Sequence, residues 1–114
     1  MKKILLFAII VFGCISCGTS TSLYDWKGYD DAVYKYINNA DEKSVESLMK
    51  VYERLNKTSG GTRQVPPPGV CADYGYLLLK NGKIKEGKEL LKKEISLYPE
   101  SKQFIDRILD RLEE

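Results

Sequence analysis

The chain has 114 residues, 43% hydrophobic and 30% charged, which suffices for one small domain with a core and argues against disorder. Its formal charge of +2 resides in Lys2 and Lys3; the remaining basic and acidic side chains balance, and a neutral domain lacks the positive field that nucleic-acid binding requires. There is no histidine, which excludes Ser-His-Asp and Cys-His catalysis, His-ligated metal sites and the usual near-neutral acid–base group.

Met1-Lys2-Lys3 is a short basic start, Ile4–Phe12 is an unbroken apolar run, and Gly13-Cys14-Ile15-Ser16-Cys17 follows. A basic start, an apolar run of about 7–15 residues and small residues at the cut describe a secretory signal peptide. The run falls short of the roughly 20 apolar residues that a spanning helix needs. Ser16 before Cys17 resembles the bacterial lipobox, in which the cysteine is lipidated and becomes the new N-terminus. The chain then divides into a signal peptide over residues 1–16, a lipidated Cys17 with a flexible tether over 17–23, and a helical domain over 24–114. Gly13-Cys14 forms a second junction, so Cys14 stands as the alternative. Cys17 allows the longer apolar segment, and the polar stretch Gly18–Ser22 after it suits a tether. Ordinary secretion and an uncleaved anchor are the other readings. The expectation is a membrane-attached chain, held by acyl chains that contribute about 0.8 kcal/mol per buried methylene. Cys14-Ile-Ser-Cys17 has no second cysteine pair to complete a zinc site, and Cys71 reads as a buried, inert thiol. No metal, cofactor or small-molecule substrate is expected.

Beyond the tether the apolar spacing is helical. Tyr29, Ala32, Val33, Tyr36 and Ile37 fall on one face of a helix that Asn38-Asn39-Ala40 ends. Asp41 is placed to cap the next, whose face is Val45, Leu48, Met49, Tyr52 and Leu55, and Ser59-Gly60-Gly61 stops it. Two readings hold for Pro66, Pro67 and Pro68. Either Pro68 opens a helix over Val70–Asn81, or the three prolines form an exposed, rigid recognition segment. Tyr74, Leu77 and Leu78 line that helix, and Asn81-Gly82 makes a turn. Ile84, Leu91, Ile95 and Tyr98 line the next, which Pro99 stops. Ser101 is placed to cap a last helix carrying Phe104, Ile105, Ile108, Leu109 and Leu112.

Tyr74-Gly75-x-x-Leu78, Gly82-x-Ile84, Gly87-x-x-x-Leu91 and Pro99 together resemble a tetratricopeptide repeat. Glycine inside a helix costs about 1 kcal/mol against alanine, so Gly75 and Gly87 point to two helices approaching closely. Gly87 stands where alanine is commoner. Tyr29-x-x-Ala32-x-x-x-Tyr36 matches the second helix of a degenerate upstream copy at an irregular offset. The fold class expected is all-α, a small tetratricopeptide-like stack of helical hairpins with the last helix as a cap.

The lipobox, Leu23-Tyr-x-Trp26-x-x-Tyr29, Val65-Pro-Pro-Pro-Gly69, the Gly75–Gly82 hairpin and Tyr98-Pro-Glu-Ser101 together resemble a family of short bacterial lipoproteins, domain of unknown function 4810. The resemblance covers nearly all of the chain after Cys17. It implies, by association, a partner in the cell envelope, since family members are often encoded beside a lipoprotein similar to the curli secretion pore. It carries over no catalytic residues. The expected role is therefore a non-enzymatic binding or accessory subunit, lipid-anchored on the periplasmic face of the outer membrane. A structural envelope spacer and, third, a cell-wall enzyme using Asp30 and Asp31 or Asp73 near Cys71 are the alternatives. Tyr29, Tyr36, Tyr52 and Tyr98 sit on apolar faces and read as core. Tyr24, Trp26, Tyr34 and Tyr76 are the partner-binding candidates, together with the prolines. Lys80, Lys83, Lys85, Lys88, Lys92 and Lys93 read as a solvated face.

Overall fold

The computed structural model describes Lys3, Gly18 and residues 21–114. The lipidation candidates Cys14 and Cys17, and the signal peptide apart from Lys3, lie outside the described residues. Among those described, the regular structure is all helical: α1 (Tyr29–Asn39), α2 (Glu42–Lys57), α3 (Val70–Lys80), α4 (Ile84–Leu97), a 3-10 turn (Pro99–Ser101) and α5 (Lys102–Arg111). Each helix packs on its neighbour in sequence, and α3 against α4 is the most extensive contact. The result is two hairpins, α1–α2 and α3–α4, closed by α5. This parity makes α1 the first helix of its hairpin. The match of Tyr29, Ala32 and Tyr36 to a second helix is therefore corrected, because the short link Ala40-Asp41 folds α2 back onto α1.

Local chemistry sets the helix ends. Asp41 caps α2 as expected, its Oδ1 accepting from Ser44 N at 2.7 Å, and hydrogen bonding from the Ser44 backbone and side chain holds its carboxyl below its ordinary pKa. At the α3–α4 corner Gly82 adopts φ +79°, while Gly82 N bonds Leu79 O and Lys83 N bonds Leu78 O. Those two bonds satisfy carbonyls that the end of α3 would leave open. Ser101 does not cap α5. It sits inside the 3-10 turn, and its hydroxyl donates back to Tyr98 O at 2.7 Å.

The proline run resolves into neither expected form. Pro66 and Pro67 are buried, and Tyr98 Oη donates to Pro66 O at 2.7 Å, so these two rings are packing elements and not an exposed recognition segment. Pro68 is exposed but precedes the helix by one residue too many to open it. Gly69 at φ +87° follows, and Val70 N bonds Pro67 O at 3.2 Å. Proline then glycine at the two centres of a turn fits type II geometry, which requires a positive φ at the second.

Gly69 has no side chain with which to cap α3, so the first turn borrows one from α4. Glu94, only 2% exposed, accepts from Gly69 N at 2.7 Å through Oε1 and from Ala72 N at 3.3 Å through Oε2. A carboxylate at a helix N-terminus meets both open N–H groups and the positive end of the dipole. Glu94 occupies a place on the inner face of α4 where an apolar residue would fit the pattern, so nothing local in the sequence marks its role.

The centre of the hairpin is a mutual approach of two backbones. A Cβ on Gly75 would lie 2.9 Å from Gly87 O, and a Cβ on Gly87 would lie 2.8 Å from Gly75 O. Leu78 and Leu91 fill beside them, fully buried, with Leu55 on α2 and Ile105 on α5. Four residues expected on inner faces are instead exposed: Ile37 (71%), Ile84, Phe104 (65%) and Leu112, which lies just past the end of α5. Ile37 and Phe104 belong to the first and last helices of the described residues, whose apolar stripes are wider than the one helix each packs on there. Ile84 is the first residue of α4 and lies beyond the reach of α3.

Two outcomes follow. Gly87→Ala should destabilise the domain by about 1–3 kcal/mol in denaturant melts, despite alanine's better helix propensity, because its methyl meets backbone that cannot yield. Glu94→Gln should cost about 2 kcal/mol, the scale of hydrogen bonds to a charged group, and amide exchange should quicken first at the start of α3.

Candidate functional site

α1 and α3, the first helices of their hairpins, both pack on α2, and the three helices border a cleft of about 300 Å³. Tyr29, Val33 and Tyr36 form one wall, Tyr76 and Leu77 the other, and Leu48 and Tyr52 the floor. The exposed Ile37 extends the first wall outward. Tyr29 and Tyr36 are half-buried, which places them between core and surface. The floor is fixed by an aromatic chain through three helices. Trp26 meets Tyr29 edge-on at 5.0 Å between centroids, Tyr29 meets Tyr52 at 6.1 Å, and Tyr52 meets Tyr74 at 6.1 Å.

Charge lies at both ends of this cleft. Asp73 and Lys80 stand seven positions apart on α3, two helical turns or about 10 Å. Lys80 Nζ rests over the Tyr76 ring, 4.8 Å from its centroid, so the cation and the ring are held together. Asp73 remains exposed at the rim, but partial desolvation by the aromatic wall raises its carboxyl above the ordinary pKa, and the neighbouring Tyr52 hydroxyl offsets part of that shift. Burial, then the charge of Asp73, holds the Tyr52 and Tyr29 phenols protonated beyond their usual range. The site offers an apolar slot with an anion at one end, a cation at the other, and hydroxyls along its length.

The sequence candidates divide between this cleft and other surfaces. Tyr76 lines it. Tyr24 and Trp26 border a separate hollow of about 650 Å³ between residues 21–26 and 60–62. That hollow is larger, but its rim is mostly Thr, Ser and Gly, and it has neither an aromatic floor nor paired charges. Tyr34 is fully outward and borders neither. Tyr24 is engaged within the fold, edge-on to Tyr98 and beneath the Arg63 guanidinium. Tyr36, Ile37 and Lys80 line the cleft as well and are not among the partner-binding candidates of the sequence. The signal for the first two was present: an apolar stripe on a terminal helix continues past its one partner.

Cys71 and Asp73 have different surroundings. Cys71 is a buried free thiol that donates to Asn56 Oδ1 at 3.0 Å, and burial raises its pKa to about 11, leaving it a poor nucleophile. Asp30 is exposed and Asp31 pairs with Lys35 on the outer face of α1. No group of three metal-ligating side chains gathers among the described residues, and no helix among them is long and apolar enough to cross a membrane.

Paired hairpins with a grooved inner side define the class, a small all-helical hairpin stack. The model of the Domain of unknown function (DUF4810) family matches residues 23–108, and the chain belongs to that family. No curated protein and no solved structure matches it.

The raised Asp73 pKa has a consequence for stability. The folded protein holds this proton more tightly than the unfolded chain, so stability should fall as pH rises from about 4, the ordinary carboxylate value, through the native one. Asp73→Asn should flatten that slope, leaving the melting temperature at pH 7 equal to or above the parent's, as followed by circular dichroism.

Proposed function

We propose that this chain is a lipid-anchored, non-enzymatic binding module of the bacterial cell envelope that receives a segment of a partner protein in the α1–α3 cleft. The cleft carries the reading. An aromatic, half-buried slot held by a rigid floor provides anchoring area at small entropic cost, as protein interfaces require, and a passive spacer has no use for one. Asp73 and Lys80 select a segment with an apolar flank, a basic group near one end and an acidic group about two turns away.

The anchor rests on the N-terminal pattern ending at Cys17, and the non-acidic Gly18–Ser22 supports the periplasmic face of the outer membrane. The family resemblance makes an envelope lipoprotein similar to the curli secretion pore the first partner to seek. The role is that of an accessory subunit in such an assembly.

The test is affinity recovery from detergent-solubilised envelopes with the native lipoprotein and with a Tyr36→Ala/Tyr76→Ala variant whose helicity has been checked. One envelope protein should come down stoichiometrically with the native chain and fall by about tenfold or more with the variant. Equal recovery by both would move the binding surface elsewhere. No specific recovery at all would favour the spacer.

A further inference from the structure

The segment before α1 is clamped to the body residue by residue. Ser22 O accepts from Thr62 N at 3.1 Å, and Leu23 O accepts from Arg63 N at 3.2 Å. The Tyr24 hydroxyl accepts from Arg63 Nη1 at 2.9 Å. Asp25 pairs with Arg54 at 3.6 Å, and the same guanidinium bonds the Lys27 carbonyl. Gly61 permits this fit, since any side chain there would strike the Leu23 carbonyl. Ser22 and Leu23, which the sequence assigns to the tether, are thus tied to the domain.

The clamp directs its polar groups inward and leaves two large apolar side chains outside: Leu23 (59% exposed) and Trp26 (38%), with Lys27 exposed beside them. Trp26 is braced by the edge of Tyr29, so its ring is presented and not free to fold away.

We propose that Leu23 and Trp26 seat in the surface of the bilayer that holds the chain's own anchor, so that the domain lies against the membrane. This rests on the reading of Cys17 as the lipidated residue. From Cys17 to Leu23 is a contour of at most about 20 Å, so the clamp cannot stand far from the lipid. Tryptophan's amphipathic ring favours the headgroup level, leucine the acyl boundary below it, and a lysine the phosphates above. The anchor keeps the local lipid concentration high, so a contact too weak to bind membranes alone suffices here. Seated this way, the domain has one orientation, and the Tyr29 that braces Trp26 also walls the cleft.

Trp26 is the chain's only tryptophan, so its emission reports on this contact directly. The full lipidated chain is reconstituted in phosphatidylcholine–phosphatidylglycerol vesicles, with lipid attachment checked by mass and vesicle attachment by flotation. Acyl-brominated lipid should quench the emission by about twofold, while aqueous iodide should quench it little. Leu23→Ser, confirmed as folded, should weaken the lipid quenching and strengthen the iodide quenching. A chain that floats while brominated lipid leaves Trp26 unaffected overturns the seating and leaves the anchor intact. A chain that carries no lipid and does not float overturns the anchor and this inference with it.

Discussion

Two glycines facing each other across α3 and α4 set the spacing of everything else. Each lacks the one carbon that would collide with the other's carbonyl, so the two helices come closer than any side chain would allow. That approach lets Leu78 and Leu91 interlock beside the contact and orients the rest of α3. Packing at crystal-like density leaves no room to compensate locally, so the spacing is a constraint and not a preference. A helix held this firmly along one side offers its other side as a fixed platform, and Asp73, Tyr76 and Lys80 stand on that side.

The opposite wall of the cleft arises from an absence. Among the described residues α1 packs on one helix, and its apolar stripe is broader than that neighbour covers. Within a longer array the excess would meet another hairpin; here Tyr36 and Ile37 remain to line a slot. The same geometry exposes Phe104 on α5 at the other end of the stack. At the end of a helical stack core-forming sequence becomes surface, and among the described residues the α1 end borders the cleft.

Most of the fold was legible because helix periodicity, Asp41, Asn81-Gly82 and Pro99 are local signals, each read within a turn or two of the residue concerned. What escaped depends on residues distant in sequence. Pro66 and Pro67 could be read as exposed because nothing nearby shows that Tyr98 covers them. Glu94 looks like one more charge on a charged helix until α3 lies beside it. Ser101 has the composition of a cap but adopts helical backbone, since Pro99 has already begun a tighter turn. Of the site, Tyr76 was found, whereas Tyr36 was read as core: one pattern serves both roles, and only the number of neighbours distinguishes them.

Glu94 also sets an order of events. Its bonds to Gly69 and Ala72 span 25 and 22 residues, so α3 emerges from the ribosome with its first turn unsatisfied. Until α4 follows, that turn has only water to bond, and short isolated helices are marginal in water. The hairpin therefore has no stable half. A chain made N-terminus first completes the start of α3 only once α4 has followed, so the two helices close as a unit.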